Sequence, residues 1–233
     1  MMNTIAERLK EVRNQIILAC EAAQRSPADV RLLAVSKTRS IEEILQARQA
    51  GQMEFGENYV QEGVSKIAQL EEHSEITWHF IGPVQSNKTR DIAGSFGWVH
   101  SVDRAKIARR LNDQRQHAQP PLNVLIQVNI DQEDTKAGVL PADIAELAGL
   151  ISSLPGLRLR GLMAIPAAAA DAVARAASYA RMQGLYSGLQ AQYDQIDTLS
   201  MGMSDDLATA IKYGATTVRI GTAIFGSRPS DKK

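Results

Sequence analysis

A lysine at the end of a short apolar run is the first residue in this chain whose placement suggests covalent chemistry. Lys37 closes the segment VRLLAVSK at 30–37, directly after Leu32, Leu33, Ala34, Val35 and Ser36. Apolar neighbours around its stem disfavour the ammonium and free the amine to attack an aldehyde. The same placement also suits a lysine that reaches out to solvent, or one paired with a carboxylate such as Glu57. Two glycine-containing turns bear on that choice. Ser200-Met201-Gly202-Met203-Ser204 runs straight into a helix expected from Asp205, and Gly221-Thr222 opens the last helix. Free backbone N–H groups at helix starts bind anions, and Ser and Thr hydroxyls add donors. An amine across from a phosphate cup points to a phosphorylated carbonyl compound, a description that pyridoxal 5′-phosphate (PLP) and sugar phosphates both meet.

Arg219 adds a third element. It lies between Val218 and Ile220, two residues before the glycine turn. Flanked by apolar residues it should point into the protein, where an unpaired charge is costly. One solution is an internal carboxylate. The other is a heteroaromatic nitrogen accepting from the guanidinium, which would keep a pyridine ring unprotonated and weaken it as an electron sink.

These residues need a frame that brings them together. Strand-like runs begin near Arg31, Met53, Thr77, Trp98, Leu122, Leu157, Asp197 and Thr216. Helical stretches at 41–50, 59–70, 87–96, 104–116, 142–154, 171–192 and 205–213 separate them, and a final short helix begins at Thr222. Alternation of this kind implies parallel strands with right-handed crossovers. Eight repeats in 233 residues favour a single (β/α)8 barrel of the TIM type, an α/β fold whose working face is at the strands' C-terminal ends. Lys37 follows strand one there, and the two glycine turns follow strands seven and eight, where such barrels often bind phosphate. An amphipathic helix at 4–24, with Ile5, Leu9, Val12, Ile16 and Ala19 on one face, precedes the barrel. The expectation is one domain over 1–233, a polar ring above an apolar barrel, and a frayed tail at 227–233.

Bulk properties remove several function classes. Lys plus Arg and Asp plus Glu number 26 each, so no overall field favours nucleic acid or an anionic membrane. Cys20 is the only cysteine, which excludes an intrachain disulfide and a cysteine metal cluster. No apolar run reaches the roughly 18 residues of a membrane span, and the N-terminus lacks a signal peptide's apolar centre. A cytoplasmic protein without a metal site is expected.

Six separated segments, in order, carry a family resemblance over essentially the whole chain. AVSKTRS around Lys37, FGENYVQE at 55–62, WHFIGPVQSNK at 78–88, RGLMAI at 160–165, LSMGMSDD at 199–206 and VRIGTAIFG at 218–226 resemble the YggS/PROSC family of pyridoxal phosphate homeostasis proteins. That family is similar in fold to the barrel domain of alanine racemase, the type III class of PLP-binding folds. The resemblance implies PLP held as a Schiff base, a covalent aldimine, on Lys37. It implies Arg219 facing the pyridine nitrogen, Ser200, Ser204, Gly221 and Thr222 at the phosphate, and Asn58 against the ring. Met201 and Met203 are expected to line the same pocket. His79, inside the third strand, reads as a satisfied core histidine, and Lys136 in DTKAG as a solvated loop lysine. One departure is visible: Pro166 is followed by four alanines at 167–170, where the family tends to carry a second proline, so no site is assigned there.

The resemblance implies a protein that binds, buffers and delivers PLP to PLP-dependent apoenzymes, as a monomer and without dedicated turnover. Alanine racemase uses a tyrosine from a further β domain as its second base, whereas only seven residues follow Gly226 here. Most tyrosines fall on helical stretches away from the barrel mouth. Two other classes remain: a PLP enzyme using Lys37 as sole base, such as a racemase, and a Schiff-base aldolase acting on sugar phosphates. The aldolase predicts no cofactor absorbance, which separates it from both others.

Overall fold

The computed structural model describes residues 4–166 and 171–227. Eight parallel strands close into a barrel in chain order, each next to its sequence neighbours, with β1 paired to β8. The strands are β1 (Arg31–Val35), β2 (Glu54–Glu57), β3 (Thr77–Phe80), β4 (Trp98–Val102), β5 (Leu122–Val128), β6 (Leu157–Ala164), β7 (Thr198–Ser200) and β8 (Thr217–Ile220). Around them run α1 (Ile5–Ala22), α2 (Ile41–Gln49), α3 (Val60–Gln69), α4 (Thr89–Ser95), α5 (Ala105–Gln114), α6 (Ile144–Ser152), α7 (Ala172–Gln190), α8 (Leu207–Lys212) and α9 (Thr222–Phe225).

Local sequence sets the boundaries. Thr4 with Glu7 and Ser40 with Glu43 form reciprocal capping boxes that open α1 and α2, and Asp171 caps α7. The expected 205–213 helix is shorter than its pattern suggests. Asp206 accepts from the Met203 backbone N–H at 2.6 Å and from the Tyr179 hydroxyl at 2.7 Å, and α8 starts only after it. The 167–170 alanines and residues 228–233 of the expected frayed tail lie outside the described residues.

Side chains alternate between the helix-facing core and the barrel interior, as parallel strands covered on one side by helices require. Leu32, Ala34, Val218 and Ile220 belong to the main apolar core, to which α1 contributes Leu9, Val12 and Ile16. Gly161 at φ 147° marks where β6 shifts register against β5 and presses on β7. A Cβ there would lie 1.8 Å from the Thr198 carbonyl oxygen, so only glycine fits.

The interior corrects the expectation of an apolar barrel. It holds an apolar cluster of Trp98, Leu125 and Met163, but also His79, His100, Ser200, Thr217 and Arg219, all buried. Toward the strands' N-terminal ends, Arg31 and Arg160 approach the Trp98 ring at 5.0 and 4.9 Å, and Arg31 donates to Thr198 at 2.6 Å. Charged side chains and an indole thus close the floor, where branched aliphatic residues usually fill such barrels.

Candidate functional site

The residues singled out from sequence fall on four consecutive strands. Ser200 ends β7, Arg219 lies in β8 with Gly221 and Thr222 just beyond it, Lys37 follows β1, and Asn58 follows β2. The closed order β7–β8–β1–β2 therefore puts them on one arc of the mouth. The fit is tight between β8 and β1, where a Cβ on Gly221 would sit 3.3 Å from both the Cβ and the carbonyl oxygen of Val35.

Lys37 sits in a turn two residues past the end of β1 and is half-buried, so it stands at the lip of the barrel and not within its apolar wall. It makes no hydrogen bond or ion pair with the described residues. Glu57, the carboxylate weighed as its partner from the sequence, is engaged elsewhere. Its Oε1 accepts from the Ser36 hydroxyl at 2.6 Å and from Lys66 Nζ at 2.8 Å. Burial nonetheless pushes the Glu57 carboxyl up, with the Lys66 ammonium opposing the shift. Lys66 itself is saturated, donating to Glu57, to Glu62 at 2.6 Å and to the Ser36 carbonyl at 2.7 Å. Of these two neighbouring lysines, only Lys37 has an amine free to react.

Arg219 is 6% exposed and carries its charge without a carboxylate partner in contact. Nη1 donates to Ser200 Oγ at 2.8 Å and Nη2 to the Ala164 carbonyl at 3.0 Å. A guanidinium has five N–H donors, so three make no hydrogen bond to the described residues. Burial lowers its pKa to about 10, partly offset by Tyr179 and Asp206, which leaves it charged at neutral pH. The internal carboxylate weighed from sequence is thus replaced by a neutral hydroxyl and a carbonyl.

Ser200 takes a different place from the phosphate cup. Its hydroxyl is fully buried between Arg219 and His100 Nδ1, 3.0 Å away. His100 Nε2 in turn meets His79 Nδ1 at 2.9 Å, and His79 Nε2 faces Glu54 Oε2 at 3.7 Å. A polar chain therefore runs from Glu54 on β2 across the interior to Arg219. His79 is only half-satisfied as a core histidine, because its Nε2 has no hydrogen-bond partner among the described residues. Burial lowers the His79 pKa to about 3, helped by the charge of Arg31. It lowers His100 well below the usual imidazole value, with His79, Arg219 and Arg31 adding to the effect. Both rings are neutral.

Ser204 and Thr222 keep their donor groups uncommitted. Ser204 is half-buried and Thr222 exposed, and neither hydroxyl nor backbone N–H bonds to a described residue. Gly202, at φ 94°, leaves no room for a side chain, since a Cβ would fall 2.4 Å from that of Ala210. Met201 faces away from the mouth: it follows inward-facing Ser200, so it turns outward and is fully buried in the main core. Met203 is 43% exposed. Asn58 is half-buried, and its backbone crowds Gly82, where a Cβ would lie 2.0 Å from the Asn58 carbonyl oxygen. Lys136 pairs with Glu133 at 3.0 Å, and its Nζ is buried, which corrects the expectation of a solvated loop lysine.

Sequence reasoning missed His100, Lys66 and Glu62. Two signals for the α3 pair were present: Val60, Gly63 and Lys66 recur every three residues along the buried face, and Glu62 precedes Lys66 by four. No group of three or more metal-capable side chains occurs among the described residues, and no described helix is long and apolar enough to cross a membrane.

Comparisons with known proteins bear on the fold and the family. Residues 9–229 match the model for the alanine racemase N-terminal domain. The chain is 54% identical over 230 residues to the pyridoxal phosphate homeostasis protein of Vibrio alginolyticus, covering 97% of this chain and 99% of that one. It is 53% identical over 234 residues to that of Escherichia coli K12, covering all of both. Among solved structures, PipY of Synechococcus elongatus with PLP bound superposes with a TM-score of 0.83 at 37% identity, over 96% of this chain and all of that one. A free lysine at the β1 lip, a buried arginine in β8 and full-length identity above one half lead to the same conclusion: the chain belongs to the family of pyridoxal phosphate homeostasis proteins.

Proposed function

We propose that this protein binds PLP at the β7–β8–β1–β2 arc and serves intracellular PLP homeostasis, holding the cofactor reversibly on Lys37 and releasing it to PLP-dependent apoenzymes. The observation that carries the reading is the contrast between the two lysines: Lys66 has spent all its donors, and Lys37 has spent none on the described residues. The name shared by the relatives and the PLP bound to PipY, similar over the full length, support the choice of PLP over a sugar phosphate.

The residues present fit that group. PLP supplies an aldehyde for reversible imine formation, a phosphate and a pyridine ring. Lys37 would hold the group through its amine, to which the aldehyde would offer a reversible covalent bond. Ser204 and Thr222 offer uncommitted hydroxyl and N–H donors to the phosphate, with Gly221 between β8 and α9. Ser200 acts one step back, orienting Arg219. Arg219 keeps donors free for the ring nitrogen, and its permanent charge disfavours a second proton there. Asn58 lines the β2 side.

A carrier also fits the tyrosines. Tyr179 donates its hydroxyl to Asp206, and its pKa is raised by burial and by that carboxylate, which suits a brace better than a base. A spectroscopic titration tests the reading. Purified protein is expected to develop an absorbance near the visible edge on addition of PLP, saturating at one equivalent. A protein that stays colourless would point to Schiff-base chemistry on a sugar phosphate instead.

A further inference from the structure

We propose that Lys66 and Glu62 of α3 are positioning residues for Lys37, clamping the turn that presents its amine; the inference rests on the reading of Lys37 given above. The clamp grips the backbone on both sides of that residue. On one side, the Ser36 carbonyl accepts from Lys66 Nζ at 2.7 Å while the Ser36 hydroxyl donates to Glu57 at 2.6 Å. On the other, the Thr38 N–H donates to Glu62 Oε1 at 2.5 Å. Glu62 Oε1 also accepts from Lys66 at 2.6 Å, so one oxygen ties both halves of the turn to the helix.

The local chemistry explains why such a clamp is needed. Thr38 has φ 63°, a left-handed conformation that a β-branched residue adopts only when its surroundings impose it. The turn closes on its own Arg39 N–H to Ser36 carbonyl hydrogen bond at 3.0 Å, and Lys66 and Glu62 add the contacts that fix it, and the Lys37 Cα with it, against α3. Helix α3 is seated closely enough to supply the hold because residue 63 is glycine. A Cβ there would lie 2.6 Å from the Phe96 ring and 3.2 Å from Glu57 Cβ. Lys66, one turn later on the same face, is 5% exposed and uses all three ammonium protons. An ammonium so buried contributes little to covering the surface, and its contacts converge on residues 36, 57 and 62.

Lys66→Met would leave the buried Glu57 unpaired and risks unfolding the protein, so the test turns on Glu62, whose side chain is 26% exposed. Two rates and one affinity separate positioning from general damage. Wild type, Glu62→Ala and Glu62→Gln are mixed with PLP, and imine formation is followed by stopped-flow absorbance. Affinity for pyridoxine 5′-phosphate, whose alcohol cannot form the bond, is measured in parallel by calorimetry. Glu62→Ala is expected to slow imine formation by about tenfold or more, as loss of a near-attack geometry does, with pyridoxine 5′-phosphate affinity within about twofold of wild type. Glu62→Gln keeps an oxygen for Thr38 and Lys66 and is expected to restore most of the rate. An unchanged rate in Glu62→Ala, an equal loss of rate and affinity, or a Gln variant as slow as Ala overturns the clamp. A wild-type protein that gives no imine signal refutes the reading of Lys37 itself.

Discussion

Lys37→Ala is expected to remove the near-visible absorbance of the PLP-treated protein completely while leaving the fold intact. Both halves of that expectation follow from the environment of the side chain. The amine has no partner among the described residues and the stem is half-buried at the lip, so truncation breaks no hydrogen bond and opens no core cavity. Substitutions of that kind usually change stability by less than about 0.5 kcal/mol. Chemically the loss is total, because Lys66 is 5% exposed and held by three acceptors. It has no lone pair to offer unless that network breaks. An absorbance spectrum with and without PLP, together with a thermal melt, checks the two halves separately. A spectrum that survives the substitution would mean that another lysine reacts. A melt lowered by several degrees would mean that Lys37 is also structural.

Acid should destabilise the protein through the barrel interior. His79 and His100 are neutral in the fold, with His79 at about 3 and His100 well below the usual value, both chiefly because burial disfavours the charged ring. The unfolded chain binds these protons near pH 6.5. Their contribution is therefore fully present above that pH and is lost as pH falls from about 6.5 toward the depressed native values. At pH 5 this costs about 2 kcal/mol for His79 relative to neutral pH, and His100 adds in the same direction. Glu54 and Glu57 act in the opposite direction. Burial raises both carboxyls, so the folded state takes up their protons first and recovers part of the loss. The net expectation is a fall of a few kcal/mol between pH 7 and 5 in urea unfolding. NMR signals from both rings should remain those of neutral imidazole at pH 5. Flat stability over that interval, or a ring that protonates near pH 6.5, would show that the run from His79 through His100 and Ser200 to Arg219 is not closed as described.

The fold was legible because each local signal agreed with the next. Strand runs ended in polar residues, helical stretches alternated with them, and the chain order of strands was the order around the barrel. Lys37 and Arg219 stood out for a related reason: each is a charge set in or beside an apolar run. The interior was less legible. In a parallel strand both faces are covered, so WVHSV in β4 is buried throughout and shows no alternation to reveal which side His100 faces. Its bonds to His79 and Ser200 depend on closure of the barrel, which joins residues 21 and 100 positions apart. The resemblance implies Ser200 at the phosphate, whereas its position as the last residue of β7 turns its hydroxyl inward to Arg219 and His100. By the same one-residue alternation Met201 is buried in the main core.

The account stands or falls on which amine meets the cofactor, and reductive trapping measures that directly. Wild-type protein equilibrated with PLP, reduced with borohydride, digested and sequenced by mass spectrometry is expected to carry a single phosphopyridoxyl group on the peptide containing Lys37. Label on Lys66 or Lys136, or no label at all, would contradict it.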